Sequence, residues 1–218
     1  MILLCAVIVG LSAGLVRAQI GKRRYHPLVL NQWWLVFLAV IPQLFAFSIP
    51  ATRSYFNSFW ARSILIGSQL ILLLFIWFNR HELPLLIVGI GLMLNLLVIA
   101  SNGGWMPMSP ETLLKLRPDL AGESIMAGVR VGFGKDFLMN PASTHLWQLS
   151  DIFVLPSWFP YRVAFSLGDS LVALGMIGYL FARGGEKNEK EGKNDIQPNF
   201  ESNKTELSGD SLGVIRNE

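Results

Sequence analysis

Apolar residues gather in five long runs separated by polar links: Ile2 to Val16, Trp33 to Pro50, Ile64 to Phe78, Leu83 to Ala100 and Val163 to Ala182. A helix crossing the ~30 Å hydrocarbon core of a bilayer needs about 20 residues, within a range of about 17 to 25. The first and third runs fall short. They reach that length by recruiting Ala18 to Ile20 and Phe59 to Ser63, with Arg62 extending its charged end to the headgroups. The pattern predicts an all-α integral membrane protein of about five transmembrane helices. These occupy a membrane domain over residues 1–182, with spans near 2–16, 33–50, 64–78, 83–100 and 163–182. A long, partly structured extracytoplasmic loop covers 101–162, and a disordered, polar cytoplasmic tail covers 183–218.

Composition agrees with a lipid solvent. Hydrophobic residues make up 52% of the chain and charged ones 15%, and mean hydropathy is +0.44, leaving too little polar surface to coat a water-soluble domain. The net charge of +3 does not point to nucleic acid, because the basic residues flank apolar runs instead of forming a basic face. They act as topology determinants. Cys5 is the single cysteine, so this chain alone builds neither a disulfide nor a thiolate metal site.

Charge asymmetry sets the expected orientation. Val16-Arg17-Ala18 resembles a signal-peptidase site, but Met1 to Gly14 carries no charged side chain, and Arg17, Lys22, Arg23 and Arg24 all follow the apolar run. The first run therefore reads as an uncleaved span with its C-terminal end in the cytoplasm. The N-terminus lies outside, Arg17 to Gln32 inside, Ala51 to Arg62 outside, Asn79 to Glu82 inside, Ser101 to Arg162 outside and the tail inside. Inside segments then hold eleven Lys and Arg against seven outside. Trp33, Trp34 and Trp77 fall at the inner boundary and Trp60, Trp105 and Trp158 near the outer one, as interfacial rings should.

The outer segment is too apolar for a disordered connector, with Leu113, Leu116, Phe137, Leu138, Trp147 and Ile152 among the residues that need burial. Ser109-Pro110-Glu111 reads as a helix start, and Pro118 would end that helix. Leu146 to Pro160 has the character of an interfacial piece.

Three motifs stand out in order: Asn102-Gly103-Gly104-Trp105-Met106-Pro107-Met108-Ser109-Pro110, Asp151-Ile152, and Phe165-Ser166-Leu167-Gly168-Asp169. Together they resemble an uncharacterised family of small bacterial integral membrane proteins, with the likeness running over roughly Met1 to Phe181. The resemblance implies a bacterial plasma-membrane protein with a shared outer segment. It implies no catalytic residues and no activity.

Candidate functional or ligand-binding residues are Asn102, Gly103, Gly104, Asp151, Ser166 and Asp169. An acid at the edge of a span is a pathway, proton-relay or partner position. Ser166-x-x-Asp169 before an apolar run is equally a capping box, which would start the fifth helix at Leu167. Both roles can coexist. Asn102-Gly103-Gly104 follows the fourth run, where a left-handed residue stops a helix; a backbone nest for an anion is the weaker reading. Gly128, Gly132, Gly134 and Lys135 fail the phosphate-loop spacing, so Arg130 and Lys135 read as solvated charges on flexible turns. His26, His81 and His145 lie in separate links and form no zinc set or triad, and no cofactor is implied. His145 and Asp151 share the outer side with Asp169.

Ala6, Gly10 and Gly14, and Ala164, Gly168 and Gly175, form small-residue faces suited to close packing with another span, a membrane-protein partner or a second copy. Pro42 should kink the second span, and Asn95 and Gln69 should hydrogen-bond between helices. The leading functional expectation is a binding or assembly module presenting its outer segment. A small transporter or transporter subunit using Asp169 comes second, although five spans without internal repeats are few for a transporter. An outer-leaflet enzyme using His145, Asp151 or Asp169 comes last, and the chain leans away from enzyme chemistry.

Overall fold

The computed structural model describes residues 2–25, 30–122, 125–156, 158–159 and 161–184. His26 and the tail beyond Gly184 lie outside the described residues, as do parts of the 146–160 stretch.

Among the described residues seven α-helices follow one another: α1 (Ile2–Ile20), α2 (Trp34–Gln43), α3 (Pro50–Arg53), α4 (Ser58–Phe78), α5 (Leu83–Ser101), α6 (Pro110–Leu116) and α7 (Leu167–Arg183). Of these, α1, α4 and α5 are long and apolar enough to cross a membrane, while the apolar stretch Trp34–Ser48 is shorter. The flanks of the two short runs are helical: α1 continues to Ile20, and α4 starts at Ser58 because the Asn57 side chain accepts from the Trp60 amide. Pro42 removes an amide donor, and two residues later the ladder widens into a π-helical turn, Leu44–Ser48, closed by Ile49 N–H donating to the Leu44 carbonyl at 3.0 Å.

The long helices pack in the order α2, α4, α5, α7, α1. Glycines set the closest approaches. A Cβ on Gly91 would lie 2.5 Å from the Gly168 carbonyl oxygen, and one on Gly14 would lie 2.6 Å from the Leu180 carbonyl oxygen. The small face of α1 (Ala6, Gly10, Gly14, Ala18) is therefore buried against α7, while Gly168 and Gly175 of α7 face α5. Both small faces are occupied within the chain. Ala164, expected to extend the second face, lies in a strand instead.

Polar contacts collect at the two ends of the row. At one end Asn79 exchanges hydrogen bonds with the backbone of Asn31 (2.8 and 2.9 Å), Tyr25 donates to the Leu180 carbonyl (3.0 Å), and Arg183 pairs with Glu82 (2.6 Å). At the other end stands the folded segment between α5 and α7. Strand β1 (Met106–Met108) pairs in parallel with β2 (Asp136–Leu138), and β3 (Phe153–Val154) pairs antiparallel with β4 (Ala164–Phe165). Helix α6 begins on Ser109, whose hydroxyl accepts from the Thr112 amide, and is followed by Pro118. Because Ala164 and Phe165 are paired in β4, α7 starts at Leu167, four residues after the apolar run begins.

Three adjoining apolar clusters form the core. One joins Phe75, Ile76, Leu85, Val88, Leu92 and Tyr179 between the helices; a second joins Leu65, Val98 and Ile99 to Met106; the third lies within the segment between α5 and α7 at Met108, Leu113 and Leu138. Met106 links helices and segment. Trp105, expected at an interface, is buried beside it and stacks on Phe137 with ring centroids 6.3 Å apart.

Candidate functional site

The site grows from the start of α7. Ser166 is the N-cap: its hydroxyl accepts from the Asp169 amide at 3.0 Å, and Asp169 Oδ2 accepts from the Ser166 amide at 3.4 Å, completing a capping box. Asp169 does more than cap. Its Oδ1 accepts from Asn95 Nδ2 of α5 at 2.7 Å, and Asn95 Oδ1 accepts from the Ser166 hydroxyl at 2.8 Å. Gly168 makes room for this amide, since its missing Cβ would fall against Asn95. Asn95 thus bonds between helices as expected. Gln69 does not: its Oε1 has no hydrogen-bond partner among the described residues, and the neighbouring Ser68 bonds Gln43 instead.

Lys135 joins the cap to the segment between α5 and α7. Its Nζ lies 2.7 Å from Asp151 Oδ2, 3.7 Å from Asp136 Oδ1 and 3.9 Å from Asp169 Oδ2. The expectation of a merely solvated lysine misses these ion pairs for a physical reason. Residues 128–138 fold as a hairpin, with Gly128 N–H donating to the Leu138 carbonyl (2.7 Å) and Val131 N–H to the Asp136 carbonyl (2.9 Å). The β1–β2 pairing then carries Lys135 to the helix ends, where Met106 N–H donates to its carbonyl at 3.1 Å.

Asp151 is 1% exposed, and among the described residues its Oδ1 and that of Asp136 have no hydrogen-bond partner. Burial pushes the Asp151 carboxyl up to about 7; Lys135 pulls against that rise while Asp136 and Asp169 add to it. Burial also opposes the Lys135 ammonium, but Asp151, Asp136 and Asp169 outweigh it and hold its pKa above the ordinary lysine value. The two shifts are compatible. Three carboxylates share one ammonium, so Lys135 stays charged and a carboxyl takes the proton.

Asn102, Gly103 and Gly104 form a second, separate constellation. Gly103 and Gly104 have φ of +71° and +87°, and Gly104 N–H donates to the Ile99 carbonyl at 2.9 Å, which ends α5 in a Schellman-type stop. Buried Asn102 reaches 43 residues on: its Nδ2 donates to the His145 carbonyl at 2.8 Å, and its Oδ1 accepts from the His145 amide at 3.0 Å. Arg62 meets the same stop from α4. Its guanidinium donates to the Gly103 carbonyl at 3.2 Å, and its methylenes pack over Gly104. Arg130 is likewise engaged, 4.6 Å above the Trp105 ring and donating to the Phe133 and Gly134 carbonyls.

Asp151, Ser166 and Asp169 are therefore brought together, while Asn102, Gly103 and Gly104 hold the segment elsewhere. His145 joins the second group and lines a cleft of about 490 Å³ with Asn102, Asn140 and Met139. Among the described residues no hydrogen bond or ion pair links it to Asp151 or Asp169. Sequence reasoning missed Lys135 and Asp136. The available signal was a basic residue beside an acid at the start of an apolar triplet, facing a lone downstream acid. Among the described residues no group of three or more His, Cys, Asp or Glu is placed to hold a metal ion. The arrangement can hold a proton and clamp the segment to the helices.

No curated protein and no solved structure matches this chain. One family model does, over residues 27–181, a stretch that contains α2 to α6, the Lys135 cluster and all but the last two residues of α7. The chain belongs to the family of unknown function DUF5317.

Proposed function

We propose that this is a multi-pass protein of the bacterial plasma membrane, crossing it about five times with its N-terminus outside and its C-terminus in the cytoplasm, and that it serves as a binding or assembly module presenting the outer segment. The observation that carries this reading is that the segment between α5 and α7 is folded and clamped. It has its own apolar cluster, two strand pairs and a capped helix, and it is tied to the helix ends by Lys135, which reaches Asp169 of α7, and by Asn102 at the end of α5, which bonds His145. A connector needs none of these. Exposed aliphatic and aromatic side chains such as Ile8, Phe37, Leu74 and Ile90 along the helices support a lipid surround. The Arg17, Lys22 and Arg23 end of α1 supports the inward placement of that end.

Topology reporters fused after Arg24, Trp105 and Arg183 are expected inside, outside and inside. An inside result at Trp105 overturns the placement of the whole segment. Crosslinking in membranes should then recover a reproducible partner that is lost in Asn102→Ala; recovery that is indifferent to this change counts against the binding role.

A transporter subunit using Asp169 is the second reading, favoured by the Asn95–Asp169 bond, which holds the acid between two helices. Unchanged substrate uptake by Asp169→Asn in reconstituted vesicles removes it.

A further inference from the structure

We propose that the Lys135, Asp136, Asp151 and Asp169 cluster is a proton-binding site, and that its occupancy sets how firmly the outer segment is docked on α5 and α7.

The geometry is that of a cluster with too much negative charge. Three carboxylates meet one ammonium, leaving an excess of two negative charges where Asp151 is 1% exposed. The charged and polar groups that face Asp151 come from three elements and from one step beyond. Strand β2 brings Lys135 and Asp136, α7 brings Asp169, α5 brings the neutral Asn95 by way of Asp169, and β1 offers the Pro107 carbonyl, which accepts from the Asp151 amide at 3.2 Å. Among the described residues Asp151 Oδ1 and Asp136 Oδ1 lack hydrogen-bond partners; Asp136 Oδ1 keeps the Lys135 ammonium at 3.7 Å, whereas Asp151 Oδ1 is enclosed with no polar contact of its own. One added proton turns a carboxylate into a neutral acid and reduces the excess charge by one. No other bond changes. Access exists, because the side chains of Lys135, Asp169 and Asp136 are 36%, 29% and 24% exposed and lead from solvent to the enclosed Asp151.

The sign of the coupling follows from linkage. A docked segment encloses Asp151 and raises its proton affinity, whereas an undocked one returns the carboxyl to water and to its ordinary acidity. The docked state binds the proton more tightly, so falling pH favours docking and rising pH favours release. Lys135 keeps its charge throughout and holds whichever carboxylates remain ionised. The cluster belongs to the clamp and not to the cleft beside His145, so proton binding regulates presentation of the segment whatever partner the segment meets. The inference needs only the cluster; the side of the membrane that it senses follows from the topology proposed above.

Infrared difference spectroscopy on the purified full chain, labelled with 13C-aspartate and taken from pH 5 to 9, tests the site without any membrane gradient. A protonated aspartate band that titrates with a midpoint near 7 in the wild type, and is lost in Asp151→Asn, is the expected result. A wild type with no aspartate band titrating between about pH 6 and 8 overturns the proposal even if the variant misfolds. A band that persists in a folded Asp151→Asn overturns the assignment to that residue. Docking is read from hydrogen exchange of the 128–138 amides, corrected for intrinsic rates. Protection should fall as pH rises, by up to about tenfold per pH unit for one linked proton, and be flat in Asp151→Asn. Wild-type protection that does not vary with pH overturns the coupling while leaving the topology reading untouched.

Discussion

Asn95 Nδ2 donates to Asp169 Oδ1 across 2.7 Å, joining the middle of α5 to the first turn of α7 over a separation of 74 residues. The other end of the same amide accepts from Ser166, so its orientation is fixed by both bonds. A cap that satisfies local backbone groups is thereby also an interhelix joint, and through Lys135 it is one of the points where the segment between α5 and α7 meets the helices.

Replacing Asn95 by Ala should uncouple these roles. The capping box can persist, but a buried hydroxyl and a partly buried carboxylate each lose a partner, at a cost of about 1–3 kcal/mol. Denaturant unfolding in detergent micelles measures it. A loss below about 0.5 kcal/mol would mean that the cap stands without α5.

Close packing of α5 on α7 depends on Gly91, where a methyl group would lie 2.5 Å from the Gly168 carbonyl oxygen and 2.8 Å from the Val172 nitrogen. Gly91→Ala is expected to destabilise by about 1–3 kcal/mol through overpacking. Gly67 of α4 has nothing within 4 Å of the same position. Gly67→Ala should be neutral or stabilise by up to ~1 kcal/mol, since alanine is the better helix former. Equal effects at the two sites, measured by thermal unfolding, would contradict the packing account.

Asn102→Ala removes both bonds to the backbone of His145. The stop at the end of α5 rests on Gly103 and Gly104 and should survive, so helix content by circular dichroism stays level. Proteolysis and hydrogen exchange should instead quicken around residues 140–149. Unchanged protection there would show that Asn102 is not the clip.

Asp151 imposes a pH dependence whose sign is opposite to that of a carboxylate stabilised by its ion pair. Its folded pKa is raised to about 7 from the ordinary 3.8, so the folded state holds the proton more tightly. The stabilisation is complete below about 4 and is lost as pH rises through about 7, with a slope of at most about 1.4 kcal/mol per pH unit for one proton. The difference in unfolding free energy between wild type and Asp151→Asn isolates it. A difference that grows in the wild type's favour with rising pH would reverse the assignment.

Much of the local architecture was legible. The helical reach of the short runs to Ile20 and back to Phe59, one residue short of the observed start, the helix start at Ser109, the left-handed stop at Gly103 and the start of α7 at Leu167 all depend on interactions within a few residues. Lys135 was misread because nothing within four residues of it marks Asp151 or Asp169 as partners. Arg130 was misread for the same reason: a long cationic side chain takes its role from whichever carbonyls and rings the fold brings near.

By itself the sequence determined where the chain becomes helical, which stretches must leave water, and which residues cap them, because hydropathy and backbone capping act at short range along the chain. Only the tertiary structure decided that α7 lies between α1 and α5, that the small residues meet within one chain, and that one lysine serves three carboxylates. Those outcomes depend on glycine-limited helix approach and on the register of two three-residue strands, and neither quantity is written in any single stretch of residues.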